Sequence, residues 1–176
     1  KDLMALYRGA TEDNECPVVV DTSTPSCGNS RFGCWVCTLV DQDKSMSAMI
    51  QNDSDKEWML PMLALRDELD FRGDEAHALD RSRRDFRRIT GHLTHYKNRD
   101  GEVALVHGPY TQDSRRYWLT RVLSVQREIR KNPDTPKNLR DIELISLAEL
   151  QEIRRIWVSE KREIEDLVPQ IYEEII

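Results

Sequence analysis

The sequence predicts a mainly α fold of the α+β class: a cysteine-rich loop with one short strand, then several helices and one β-hairpin. Three observations predict it. Between residues 44 and 176, apolar side chains recur at helical spacing in several stretches. The pair Asp100-Gly101 lies between two short extended runs, a hairpin signal. Residues 11–38 hold Pro17, Pro25, Gly28, Gly33 and all four cysteines among many Ser, Thr, Asn and Asp, and read as loop. The composition changes near residue 40. Two regions are therefore expected, a cysteine-rich one at 1–43 and a helical one at 44–176 with its hairpin near 92–107.

In chain order, residues 1–10 form a short amphipathic piece, and Val18-Val19-Val20 is the one strand expected within the loop segment. Lys44 to Gln51 reads as a short helix capped by Asp43 or Ser45. Ser54 to Phe71 reads as a stronger helix, because Trp58, Met59, Met62, Leu63, Leu65 and Leu69 repeat at helical spacing. Pro61 falls in its first turns, where proline is tolerated, and Gly73 ends it. A basic helix follows from Glu75 to about Thr90. His92 to Lys97 and Glu102 to His107 are the hairpin strands, with His95 and His107 expected to face each other across it. A long helix starts at Thr111 or Asp113 and runs to about Lys131. Asn132 to Arg140 is a proline-punctuated loop. Ser146-Leu147-Ala148-Glu149 has the form of a capping box and opens a helix to about Glu165. The tail adds a short helix after Pro169.

Charge limits the possible functions. With 26 Lys+Arg against 32 Asp+Glu the net charge is −6, so nucleic-acid contact requires a local basic patch and not the whole surface. Residues 1–10 have no apolar signal-peptide core, and no run reaches the roughly 18 apolar residues of a membrane span. The expected setting is cytoplasmic, without membrane association. The opening residues look like the end of an element, which suggests a piece of a longer chain.

The cysteines follow C-x10-C-x6-C-x2-C: Cys16, Cys27, Cys34 and Cys37, all within 22 residues. Disulfides are disfavoured in a reducing compartment. Zinc suits four thiolates and a C-x2-C half-site, but zinc ribbons generally pair two such half-sites, and here the other pair is ten residues apart. An iron–sulfur cluster is larger than one ion and takes its thiolates from irregular loops. Gly28 and Gly33 allow backbone amides near sulfur, Arg31 offsets cluster charge, and Phe32 and Trp35 shield it from water or simply pack in a core. Spacing alone leaves a non-catalytic, zinc-stabilised four-cysteine module as the competing reading.

The stretch from Glu15 through Thr38, with Gln42 to Met46, Lys56 to Pro61 and Gly108-Pro109-Tyr110-Thr111, resembles the DndC family of bacterial DNA phosphorothioation proteins across most of the chain. That family is similar to the phosphoadenosine-phosphosulfate reductase branch of the ATP pyrophosphatases. The resemblance implies a [4Fe–4S] cluster on Cys16, Cys27, Cys34 and Cys37, and a role in replacing a non-bridging oxygen of the DNA backbone with sulfur. It also implies a cysteine desulfurase as sulfur donor, other DNA phosphorothioation proteins as partners, and DNA contact that is direct or indirect. ATP and Mg²⁺ would bind an α/β domain carrying Ser-Gly-Gly-x-Asp-Ser. These residues contain no such loop, so ATP chemistry is expected elsewhere and no ATP-binding residue is assigned here.

Arg81, Arg83, Arg84, Arg87 and Arg88 crowd eight positions with Asp85 as the one opposing charge. On the expected helix, Arg81, Arg84 and Arg88 share a face that suits phosphates of DNA or a partner; pairing with Asp80 and Asp85 is the plain alternative. Arg115 and Arg116 lie at a helix start, where positive charge opposes the helix dipole, so an anion or acidic partner is expected nearby. His77, His92, His95 and His107 lack metal-ligand spacing, and catalytic residues remain unassigned.

Overall fold

The computed structural model describes residues 35, 36, 38, 42–70 and 73–176. Cys16, Cys27, Cys34, Cys37 and the expected strand at Val18–Val20 lie outside these residues. Within them the chain is mainly helical with one two-stranded antiparallel sheet. They fall into two compact units, 42–70 with 124–144 and 73–123 with 145–176, a division inside what reads from sequence as one helical region.

The first unit begins with α1, Lys44–Asn52, whose N-terminus is capped by the buried Asp43 accepting from the Met46 amide at 2.9 Å. The expected continuous helix from Ser54 is in two parts. Ser54–Met59 is a 3-10 segment, and α2 runs over Leu60–Leu69. Pro61 explains the change. It has no amide hydrogen, and its ring excludes the carbonyl four residues back from an α-helical turn. The helix therefore restarts with proline in its first turn. Trp58, Met62 and Leu65 are buried. Arg66, also buried, reaches Asp70 at 3.3 Å and Asp67 at 3.0 Å, so its charge is matched where it leaves water.

The long helix α4 spans Gln112–Lys131, as expected. Its residues 124–131 belong to the first unit, with Val125 and Ile129 buried. The loop after it is held by bonds to helix side chains and carbonyls. Buried Gln126 accepts from the Leu144 amide at 2.7 Å, and Thr135 Oγ1 donates to the Ile129 carbonyl at 2.7 Å. A short 3-10 turn at Lys137–Leu139 completes it.

In the second unit, α3 covers Gly73–Ser82, and β1 (Thr94–Lys97) pairs antiparallel with β2 (Val103–Val106). Gly73 starts α3 at φ +78° and does not end the helix before it, which stops at Leu69. The Asn98–Gly101 turn forms where the sequence placed it. Asn98 Oδ1 accepts from the Asp100 and Glu102 amides, and Gly101 takes φ +83°. The register sets His95 opposite Leu105, so the expected His95–His107 pair is corrected: His107 lies beyond the strand.

Two helices follow, α5 (Leu147–Arg155) and α6 (Leu167–Ile175), the latter starting two residues before Pro169. The Ser146–Glu149 capping box is present in both directions. The expected extension of α5 to Glu165 does not occur. The helix widens into a π turn over Ile156–Glu160 and reverses at Arg162, a non-glycine residue at φ 57°. This left-handed conformation costs about 1 kcal/mol. It is fixed by the Lys161 amide donating to Ile156 and the Glu163 amide donating to Trp157. The core beneath comprises Leu119, Leu123, Leu150, Trp157, Leu167, Val168 and Ile171.

Candidate functional site

The four cysteines are outside the described residues. Among the described residues, no group of three or more His, Cys, Asp or Glu is arranged to hold a metal ion. None of the helices there is long and apolar enough to cross a membrane.

The arginine set is described, and it does not form one helix face. The α3 helix stops at Ser82, whose Oγ donates back to the Leu79 carbonyl at 2.7 Å. Beyond it the backbone pairs with residues 108–111. Arg84 bridges Tyr110 in antiparallel fashion, Asp85 N–H donates to Pro109 at 2.9 Å, Gly108 N–H to Asp85 at 2.6 Å, and Thr111 N–H to Arg83 at 3.0 Å. Tertiary partners thus take the backbone groups that a continuing helix would have used. Gly108 makes the approach possible, because a Cβ there would overlap the carbonyl oxygen of Arg87.

The five arginines divide by task. Arg83 lies over the Tyr117 and Trp118 rings, 4.7 and 5.0 Å from their centroids. Arg84 donates to Asp80 at 2.9 Å and to the Tyr110 hydroxyl at 2.9 Å, and that hydroxyl donates to Asp80 at 2.8 Å. The bond to Asp80 raises the Arg84 pKa. Burial, followed by the bond to Asp80, raises that of Tyr110 above its usual value. These two arginines therefore tie the 83–88 segment to its surroundings. Arg81, Arg87 and Arg88 are exposed.

The acidic partner expected near Arg115 is within the chain. Arg115 pairs with Glu163, whose side chain is only 4% exposed, and also donates to the Tyr110 carbonyl. Arg116, by contrast, is exposed.

Where the 83–91 segment meets the 160–162 reversal, the second unit has a cleft of about 700 Å³. Its lining includes Phe86, Arg87, Arg88, Arg115, Lys161 and Arg162, with Asp85 and Glu160 as its carboxylates. An adjoining cleft of about 480 Å³ shares Asp85, Arg115, Lys161 and Arg162 but adds Glu163 and Glu165. Lys161 and Arg162 were not legible as site residues, because they fell inside an expected helix and the left-handed turn carries no glycine to announce it.

No family model, no curated protein and no solved structure matches this chain.

Proposed function

We propose that this chain is the [4Fe–4S]-binding part of a DndC-like protein that takes part in placing sulfur in the DNA backbone. Cys16, Cys27, Cys34 and Cys37 are the cluster ligands. ATP pyrophosphatase activity belongs to a nucleotide-binding domain outside these residues, a cysteine desulfurase donates the sulfur, and other DNA phosphorothioation proteins are partners in the cytoplasm. The observation that carries the reading is the C-x10-C-x6-C-x2-C segment with its glycine-containing flanks. The donor set fits the group: four soft thiolates are the usual ligands of a cubane cluster. The mainly helical region after the cysteines agrees with the arrangement that the resemblance implies. Bound clusters of this type transfer electrons, relay sulfur or hold a loop in place.

The test is to replace each cysteine by serine in the full-length protein and measure its iron content and the phosphorothioate content of cellular DNA. Loss of both is expected for a ligand. A variant that keeps iron but loses DNA sulfur identifies a sulfur-carrying cysteine. Unchanged DNA sulfur in all four variants refutes the proposed role.

A further inference from the structure

The cleft between the 83–91 segment and the 160–162 reversal concentrates positive charge on a chain whose net charge is −6. Arg115 is committed to Glu163, and Glu160 accepts from Arg155 at 3.0 Å. Arg88, Lys161 and Arg162 form no ion pair among the described residues. Arg87 donates to the neutral Gly91 carbonyl and forms no ion pair among the described residues. Four cations therefore face solvent against Asp85 and the already engaged Glu160. Beside them Phe86 is 58% exposed, with the Arg87 guanidinium 5.0 Å from its ring centroid.

We infer that this cleft binds a single strand of DNA, with Arg87, Arg88, Lys161 and Arg162 on its phosphates and Phe86 as a stacking surface for a base. Guanidinium groups match phosphate oxygens in a two-pronged geometry. An exposed aromatic ring beside a cationic track is the usual way of holding unpaired bases without reading sequence. An acidic polypeptide would satisfy the cations and leave the exposed ring without a role, which favours the nucleic acid. The inference deepens the proposed function and rests on it for the choice of DNA; the charge argument stands apart from the cluster.

The experiment is fluorescence anisotropy of labelled oligothymidylate with the whole chain, purified anaerobically, between about 50 and 200 mM salt. Affinity should fall steeply with salt. Arg88→Glu with Arg162→Glu should weaken binding about tenfold or more and flatten the log–log salt slope by about two. The milder Arg88→Gln with Arg162→Gln should lie between, which separates charge loss from misfolding. Phe86→Ala should weaken binding about fivefold or more with the slope unchanged. The exposed pair Lys131→Glu with Lys137→Glu should change neither. The inference is overturned if wild-type protein does not bind, if the cleft variants match wild type, if the control pair loses as much, or if polyglutamate competes as well as oligothymidylate. Iron measured on the same samples separates the two ideas. Iron-replete protein that fails to bind sinks the cleft alone, and binding without iron upholds the cleft while sinking the cluster.

Discussion

Gly108→Ala should destabilise the second unit by about 3 kcal/mol or more, because the new methyl group meets a backbone carbonyl that cannot rotate away. The obstacle is the Arg87 oxygen, two residues beyond the pairing of 83–85 with 108–111. Relief requires that ladder to open, which would release Asp85, Gly108 and Thr111 from their hydrogen bonds. Gly101→Ala is the natural control. A Cβ there meets nothing within 4 Å, so only its φ of +83° is penalised, by about 1 kcal/mol. Urea unfolding of both variants gives the comparison, and hydrogen exchange at the Asp85 and Thr111 amides shows where the loss falls. A Gly108→Ala variant no less stable than Gly101→Ala, with both amides still protected, would mean that the two segments are not paired as described.

The second large effect is expected at Glu163. Glu163→Ala removes the carboxylate from Arg115, which is itself 18% exposed. Breaking a fully buried pair costs about 3–5 kcal/mol. Here Arg115 keeps the Tyr110 carbonyl and some water, so about 2 kcal/mol is the better expectation. The loss should appear in the urea midpoint. It should be partly recovered in Glu163→Ala with Arg115→Met, which removes the stranded charge and keeps the packing. Equal stability of Glu163→Ala and wild type would show that the pair contributes nothing and that the reversal at Arg162 is fixed by its backbone bonds alone.

These two sites also show what sequence could and could not reveal. Elements with local causes were legible. Asp43 and Ser146 cap their helices because a short polar side chain meets the first free amides. Asn98 to Gly101 turns because Asn98 bonds its own loop and Gly101 accepts positive φ. Elements with distant causes were not. The arginines of the 83–88 run have good helical propensity, yet residues 108–111 claim the backbone of Arg83 and Asp85, an approach that Gly108 permits from about twenty positions away. The chain reversal after α5 was hidden similarly: Glu163 beyond it pairs with the distant Arg115, and Arg162 adopts the left-handed turn where glycine would have marked it.

The candidate sites follow the same division. The proposed cysteine donor set rests on residue type, spacing and the family resemblance, and it lies outside the described residues. The basic cleft is half legible. Arg87 and Arg88 stand out in the sequence, whereas Lys161 and Arg162 join them only through the chain reversal. Arg83 and Arg84, indistinguishable from their neighbours in sequence, hold the segment through aromatic rings, Asp80 and Tyr110.

The central claim is the cluster on Cys16, Cys27, Cys34 and Cys37, and metal analysis with visible spectroscopy of anaerobically purified protein tests it most directly. The account predicts brown protein with about four irons and about four acid-labile sulfides per chain, and a broad visible band that bleaches on reduction. Colourless protein carrying one zinc per chain on the same four thiolates would contradict it.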